Sequence, residues 1–295
     1  SRSFAERLEI SKNTPRTDGV EPVYPQDLGH EGENVGLMRD SGLTVSAVNV
    51  NLKGEDVFRA GSFTNPDEGV RKRAIDYMKR AMDISADFGA NMISVCPLID
   101  GCDHAFHVNH IDQWRWSIEA FEEVASHNKG VKVSIEYKAY EVRNRIILPS
   151  MGRTLHFCER VGANNVGVTM DLGHALIENE SPAAELAIAF DAGRLFYVHF
   201  NDNNRQADWD MPVASVNLWD TLETIHYMDS LGYDGWIAYD VFTRAGDGRE
   251  AIMHTFETMD DLRALLRKIS PEKIKSMIQS GNSARTTRDL VRALL

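Results

Sequence analysis

The chain has 295 residues, a formal net charge of -12 and 43% hydrophobic residues, which suits one large globular domain of barrel size or two small ones. The acidic balance argues against a nucleic-acid binder, and no apolar run reaches the roughly 18–20 residues that a membrane helix needs. Three scattered cysteines, Cys96, Cys102 and Cys158, exclude a disulfide framework and a cysteine zinc site. With no signal peptide at the polar start, the expected location is the reducing cytoplasm.

In chain order, 4–13 reads as a helix. Strand candidates follow at 20–25 ("VEPVYP"), 43–52 ("LTVSAVNVNL") and 91–98 ("NMISVCPL"). Four more come at 131–138 ("VKVSIEYK"), 165–172 ("NVGVTMDL"), 194–200 ("RLFYVHF") and 235–242 ("GWIAYDVF"). Each is nearly continuously apolar, as strands covered on both faces are. Helix-period segments lie between them. In 69–89, Ala74, Met78, Ala81, Met82, Ser85 and Phe88 share one face, and 150–162 and 217–231 repeat the spacing. This rhythm predicts a (β/α)8 TIM barrel over 1–268. Seven strands are visible where a closed barrel has eight. The helix at 4–13 should follow a strand, so the first strand is expected to be missing from this chain. An open doubly wound sheet is the alternative, but no Gly-rich phosphate loop follows an early strand. Residues 269–295 are expected to form a C-terminal helical extension, packed under the barrel or against another subunit.

The chemistry gathers at the C-terminal ends of the later strands, where barrels build their sites. "VSIEYK" ends on Glu136 and Lys138, "MDLGH" supplies Asp171 and His174, "VHFND" supplies His199 and Asp202, and "AYDV" supplies Asp240. One such residue is most often a helix cap or a loop residue. Several in phase would repel one another unless a cation lies between them. The oxygen-rich set suits Mn²⁺, with Mg²⁺ and Co²⁺ as alternatives, better than structural zinc. Asp208 and Asp210 in "NRQADWDM" either belong to a solvated loop or hold a second cation with His174 and a bridging Asp171.

The stretch "IEYKAYEVR" resembles the Glu-x-Lys strand end of xylose isomerases, and "MDLGH" resembles their carboxylate-x-x-His. "VHFND…DWDM" resembles the matching segment of L-rhamnose isomerases, and "AYDV" matches the last-strand Asp of both. The resemblance, over about 20–268, is to the xylose isomerase-like TIM-barrel superfamily of sugar isomerases and epimerases. It implies that Glu136, Asp171, His199 and Asp240 hold a structural metal. His174, Asp208 and Asp210 would hold a catalytic metal and its water, with Asp171 bridging. Lys138 would stabilise charge on the substrate's carbonyl oxygen. The implied catalytic set is Glu136, Lys138, His174 and Asp208, of which Lys138 and His174 also touch substrate. The chain departs from xylose isomerases in lacking their early-strand His–Asp pair.

Other residues are candidates for the sugar pocket. Asn51 alternates inward with Asn49, and His104 and Phe106 lie on the long loop after the third visible strand. Arg205 would meet a phosphate or carboxylate, or simply face solvent. The resemblance implies an aldose–ketose isomerase acting by a 1,2-shift on a sugar or polyol, without nucleic-acid or membrane partners, as a homodimer or homotetramer. The competing readings are an epimerase, dehydratase or C-glycoside-cleaving lyase of the same barrel, a nuclease of the endonuclease IV type, and a non-catalytic polyol-binding barrel. The shorter last-strand Asp240, where the 3-epimerases carry Glu, favours the isomerase.

Overall fold

The computed structural model describes residues 2–295. Seven parallel strands form one sheet in chain order: β1 (Val23–Tyr24), β2 (Val48–Val50), β3 (Met92–Val95), β4 (Lys132–Glu136), β5 (Val166–Asp171), β6 (Leu195–Phe200) and β7 (Ile237–Tyr239). Helices alternate with them: α1 (Phe4–Lys12), α2 (Val35–Ser41), α3 (Glu68–Asp87), α4 (His110–His127), α5 (Met151–Val161), α6 (Leu172–Ile177), α7 (Pro182–Asp191), α8 (Leu218–Leu231) and α9 (Gly248–Ile269). The tail forms α10 (Pro271–Ser280) and α11 (Ser283–Leu294), both packed on α9. This is the TIM-barrel fold built with seven strands. Among the described residues no strand lies between β7 and β1, so both are sheet edges.

The strands form because each is covered on both faces. Val133 and Ile135 of β4 and Val166, Val168 and Met170 of β5 are fully buried against the helices. The helices supply the matching stripe: Ala74, Met78, Ala81, Met82 and Ser85 of α3 are all buried, and Asp67 caps its start by accepting from the Gly69 N–H at 2.7 Å.

Facing inward, the barrel departs from the aliphatic layers usual in this architecture. Its lower layer is apolar: Ala47, Met92 and Tyr197 pack with Phe196, Trp236 and Ala238. Trp236 reaches across the open seam, leaving so little room that a Cβ on Gly19 would lie 3.0 Å from its ring. Above it comes a layer of hydroxyls and amides. Ser134 and Thr169 share a 2.6 Å hydrogen bond, and Asn49 donates to Ser94 at 2.9 Å. Strand register then sets the top layer, pairing Glu136 with Thr169, Asp171 with His199, and His199 with Ala238. Neighbouring strands therefore raise Glu136, Asp171 and His199 to the same mouth of the barrel.

Candidate active site

Two groups of titratable side chains meet at this mouth. The inner group is strand-borne. Glu136, Asp171 and His199 are buried, and one ligand atom from each lies within 4.8 Å of the others. Glu136 Oε1 is 3.3 Å from His199 Nδ1 and 3.4 Å from His174 Nδ1. Those ring nitrogens are buried and make no hydrogen bond. Unpaired buried nitrogens facing carboxylate oxygens are the donor set a divalent cation satisfies.

The outer group comes from a short helix and a loop. Asp171 caps α6, its Oδ1 accepting from the His174 N–H at 2.8 Å, which returns His174 to the cluster one turn later. His174 Nε2 lies 3.1 Å from Asp208 Oδ2, and Lys138 Nζ donates to that same oxygen at 2.7 Å. The glycine of "MDLGH" has a steric reason. A Cβ on Gly173 would come within 2.0 Å of Asn201 Oδ1, and Asn203 Nδ2 donates to the Gly173 carbonyl at 2.9 Å. Asn201 also donates to Asp171 Oδ2 at 2.9 Å, fixing the second oxygen of that carboxylate.

The electrostatics describe a site short of positive charge. Burial opposes the charge of Glu136, but the His199 and His174 imidazoles outweigh it and hold its carboxyl at about 2. Burial likewise disfavours protonated His174, yet Asp171 and Asp208 raise it to about 10. His199 is raised in the same way, chiefly by Glu136 against burial. Asp171 is pushed up to about 6 by burial, with the Glu136 charge adding to it. Burial, together with the charges of Asp208 and Asp240, pushes Asp210 up to about 8. Carboxylates that must borrow protons to coexist are relieved by a cation, whose binding releases those protons. Lys138 stays protonated because Asp208 overcomes the cost of burying it.

Asp210 and Asp240 border this convergence, and the remaining sequence-predicted residues lie outside it. Asp240 is solvent-exposed just past β7, at the sheet edge, and is not one of the three converging ligands among the described residues. Asp210 adopts φ 47° and is held through its carbonyl, which accepts from the Phe242 N–H at 2.8 Å. The Asn51 side chain accepts from the Lys53 N–H at 3.1 Å, closing a turn. Phe106 is fully exposed, and the exposed His104 stacks on His107 at 4.6 Å. Arg205 turns away to Asn217 at 3.2 Å and to Asp220 at 3.0 Å, whose carboxylate in the first turn of α8 neutralises it.

Sequence reasoning passed over two buried or half-buried carboxylates, Glu21 and Asp100, and read a third, Asp202, as a strand-end acid without a stated role. Glu21, just ahead of β1, has Oε2 3.4 Å from His199 Nε2. Asp100 accepts from the N–H groups of Ser62 and Thr64 at 2.8 and 2.9 Å, tying the loop after β2 to the loop after β3. Asp202 accepts from Asn203, Val216 and Asn217 and so closes the loop that carries Asp208 and Asp210. Each was visible as an acid inside or beside an apolar run, the same signal that identified Glu136.

A family model described as xylose isomerase-like TIM barrel matches residues 15–269. A xylose isomerase from Thermus thermophilus is 27% identical over 219 residues, covering 72% of this chain and 57% of the relative. The chain therefore spans little more than half the length of that relative. Among solved structures, a D-allulose 3-epimerase from Methylomonas sp. in complex with D-allulose superposes with a TM-score of 0.71 at 16% identity, covering 88% of this chain and 90% of its own. A 3-keto-D-glucoside 4-epimerase from E. coli superposes with a TM-score of 0.69 at 18% identity, covering 90% and 95%.

Proposed function

The chain belongs to the xylose isomerase-like TIM-barrel family, and from that premise we propose that it is a divalent-metal-dependent enzyme interconverting an aldose and a ketose. The observation that carries this reading is the pairing of Lys138 with Asp208 at 2.7 Å beside His174. It sets a fixed cation next to a second group of possible metal ligands, above the first.

Glu136, Asp171 and His199 would hold one cation, with Asp240 completing the set from the sheet edge. His174, Asp208 and Asp210 would hold a second, sharing Asp171. Mn²⁺ is the proposed metal, with Mg²⁺ and Co²⁺ as alternatives. Bound there, the metal supplies Lewis-acid polarisation of two neighbouring substrate oxygens. The chain's own residues do the rest. Lys138 donates to O1 of the open-chain aldose and stabilises the negative charge that develops there. The O2 proton passes to the Asp208/Asp210 pair, directly or through water. Hydride moves from C2 to C1, and the proton is returned to O1, so that the product is an isomer of the substrate. The surrounding buried core limits water at these groups.

A second reading is sugar epimerisation by proton transfer. It is favoured by the position of Asp240 outside the converging three, which leaves a carboxylate to act as base. We also propose a homo-oligomer, since Ile278, Val291 and Leu294 of the two tail helices are exposed apolar residues. Free cysteines are consistent with a reducing cytoplasm. Among the described residues, no helix is long and apolar enough to cross a membrane.

The test is metal content by elemental analysis, followed by proton NMR of a sugar panel in D₂O after Mn²⁺ loading. Aldose–ketose exchange with little deuterium uptake supports the isomerase. Deuterium at an inverted carbon selects the epimerase. Failure to bind any divalent metal overturns both.

A further inference from the structure

Glu21 has no place in the chemistry above, yet it sits inside the barrel. A carboxylate there is costly unless it is paired. Its side chain is 15% exposed, and both oxygens have neighbours. Oε1 accepts from the Ser94 hydroxyl, which in turn accepts from Asn49 Nδ2 at 2.9 Å. Oε2 lies 3.4 Å from His199 Nε2. The other nitrogen of the same ring, Nδ1, lies 3.3 Å from Glu136 and 3.9 Å from Asp171. The His199 ring therefore spans two carboxylate environments, one facing the metal ligands and one facing the polar layer below. Its plane is set by edge-on packing against Tyr197 at 4.6 Å, whose hydroxyl is fixed 2.8 Å from Ser46.

A neutral imidazole has one N–H and one lone pair, and the group that receives the N–H decides which nitrogen is free to ligate. We propose that Glu21 is a positioning residue that accepts the Nε2–H of His199 and thereby presents Nδ1 to the cation held with Glu136 and Asp171. Ser94 and Asn49 hold Glu21 in place for this task. Such outer carboxylates orient the ring and raise its basicity as a ligand. The inference rests on the metal-site reading given above.

The test is titration of the full chain with Co²⁺ alone, comparing wild type with E21A and E21Q, each checked for folding by circular dichroism. Proton NMR of the Co²⁺ forms then follows the solvent-exchangeable, hyperfine-shifted Nε2–H of His199, assigned through its contact with the Tyr197 ring. E21A is expected to weaken Co²⁺ affinity by about 10–100-fold and to lose that signal to solvent exchange. E21Q keeps an acceptor without the charge, so it should retain the signal at a changed shift and recover part of the affinity. If E21A does not fold, E21Q carries the test through the moved signal and a several-fold weaker affinity. Unchanged affinity and an unchanged signal in a variant that folds overturn the role of Glu21 alone. A wild-type chain that binds no Co²⁺ overturns this inference together with the metal-site reading.

Discussion

The inner and outer groups both rest on carboxylates and imidazoles but are held by different means. Glu136, Asp171 and His199 ride on β4, β5 and β6, where ladder register fixes their heights. Asp208 and Asp210 ride on a loop, and their placement depends on Asp202. That fully buried carboxylate accepts from the Asn203 N–H at 2.8 Å, the Val216 N–H at 2.7 Å and the Asn217 N–H at 2.9 Å, and from Asn217 Nδ2 at 2.6 Å. Its backbone also bridges Met211 in both directions, at 3.0 and 2.8 Å. A strand-borne site is as rigid as the sheet, whereas a loop-borne site is as rigid as its pins. The inner group should therefore survive insults that abolish the outer one, but not the reverse, because Asp171 serves both.

The largest effect should come from the inner group. Glu136→Gln removes the carboxylate that faces both His174 and His199, and no neighbour can replace its charge. Turnover in the proposed sugar interconversion should fall by at least about 10²–10³-fold, the scale seen when one oriented electrostatic group is lost. Calorimetric titration with Mn²⁺ should show loss of both binding events. Retention of two cations by this variant would break the hierarchy.

Asp202→Ala comes next. It strands one buried and three part-buried N–H donors and should cost on the order of 3 kcal/mol in urea denaturation. Bound Mn²⁺ should drop from two equivalents to one, with the inner cation kept. Loss of both cations in a folded variant would mean that the loop supports the inner group as well. Gly173→Ala tests the same boundary with less damage. The added methyl meets Asn201 Oδ1 at 2.0 Å, so Asn201 must move and release Asp171 Oδ2. A loss of about 1–3 kcal/mol is expected from the crowding. The apparent Kd for both cations should rise together, since the disturbed carboxylate is the shared one.

The contrast also explains what the sequence made legible. Strand-borne residues announced themselves, because an acid or imidazole ending a run such as "VSIEYK" or "RLFYVHF" can face only the barrel mouth. His174 followed from Asp171, since a capping Asp brings the residue three positions later onto its own side chain. Loop-borne residues carry no such phase. Nothing in "NRQADWDM" says that Arg205 pairs with Asp220 while Asp208 turns to Lys138, because both choices depend on Asn217 and Asp202 beyond the loop's own residues. Phe106 and His104 were expected in the pocket from their place on the long, His- and aromatic-rich loop after the third visible strand. In the fold they stand out in solvent on a loop tied down elsewhere, where Arg143 binds Asp103 at 2.7 Å and the Ile99 carbonyl at 3.0 Å. Asp240 was read in phase with the other strand ends, but phase says nothing of what flanks the last strand. With β7 at a sheet edge, that side chain is exposed.

The smallest effect separates the fold from both groups. Tyr137 is the outward neighbour of Glu136 on the same chain segment and is fully buried. Glu180 lies beside it, on the helix side of the sheet, accepting from the Met151 N–H at 3.1 Å. Burial, reinforced by the Glu185 charge, pushes the Glu180 carboxyl up from 4.5 to about 7. A raised acid means that the folded chain holds a proton which the unfolded chain has already released in that window. The linkage slope is then negative, and stability falls as pH climbs from about 4.5 to about 7. Because Glu180 is only partly buried, solvent screening should limit this contribution to about 1 kcal/mol or less. Glu180→Gln cannot ionise, so this part of the decline should disappear from urea-unfolding curves taken across the window. Mn²⁺ affinity should stay unchanged at every pH, because neither group is touched. If the variant instead alters Mn²⁺ binding, the two faces of β4 are coupled, and the inner group is less independent of its surroundings than strand register implies.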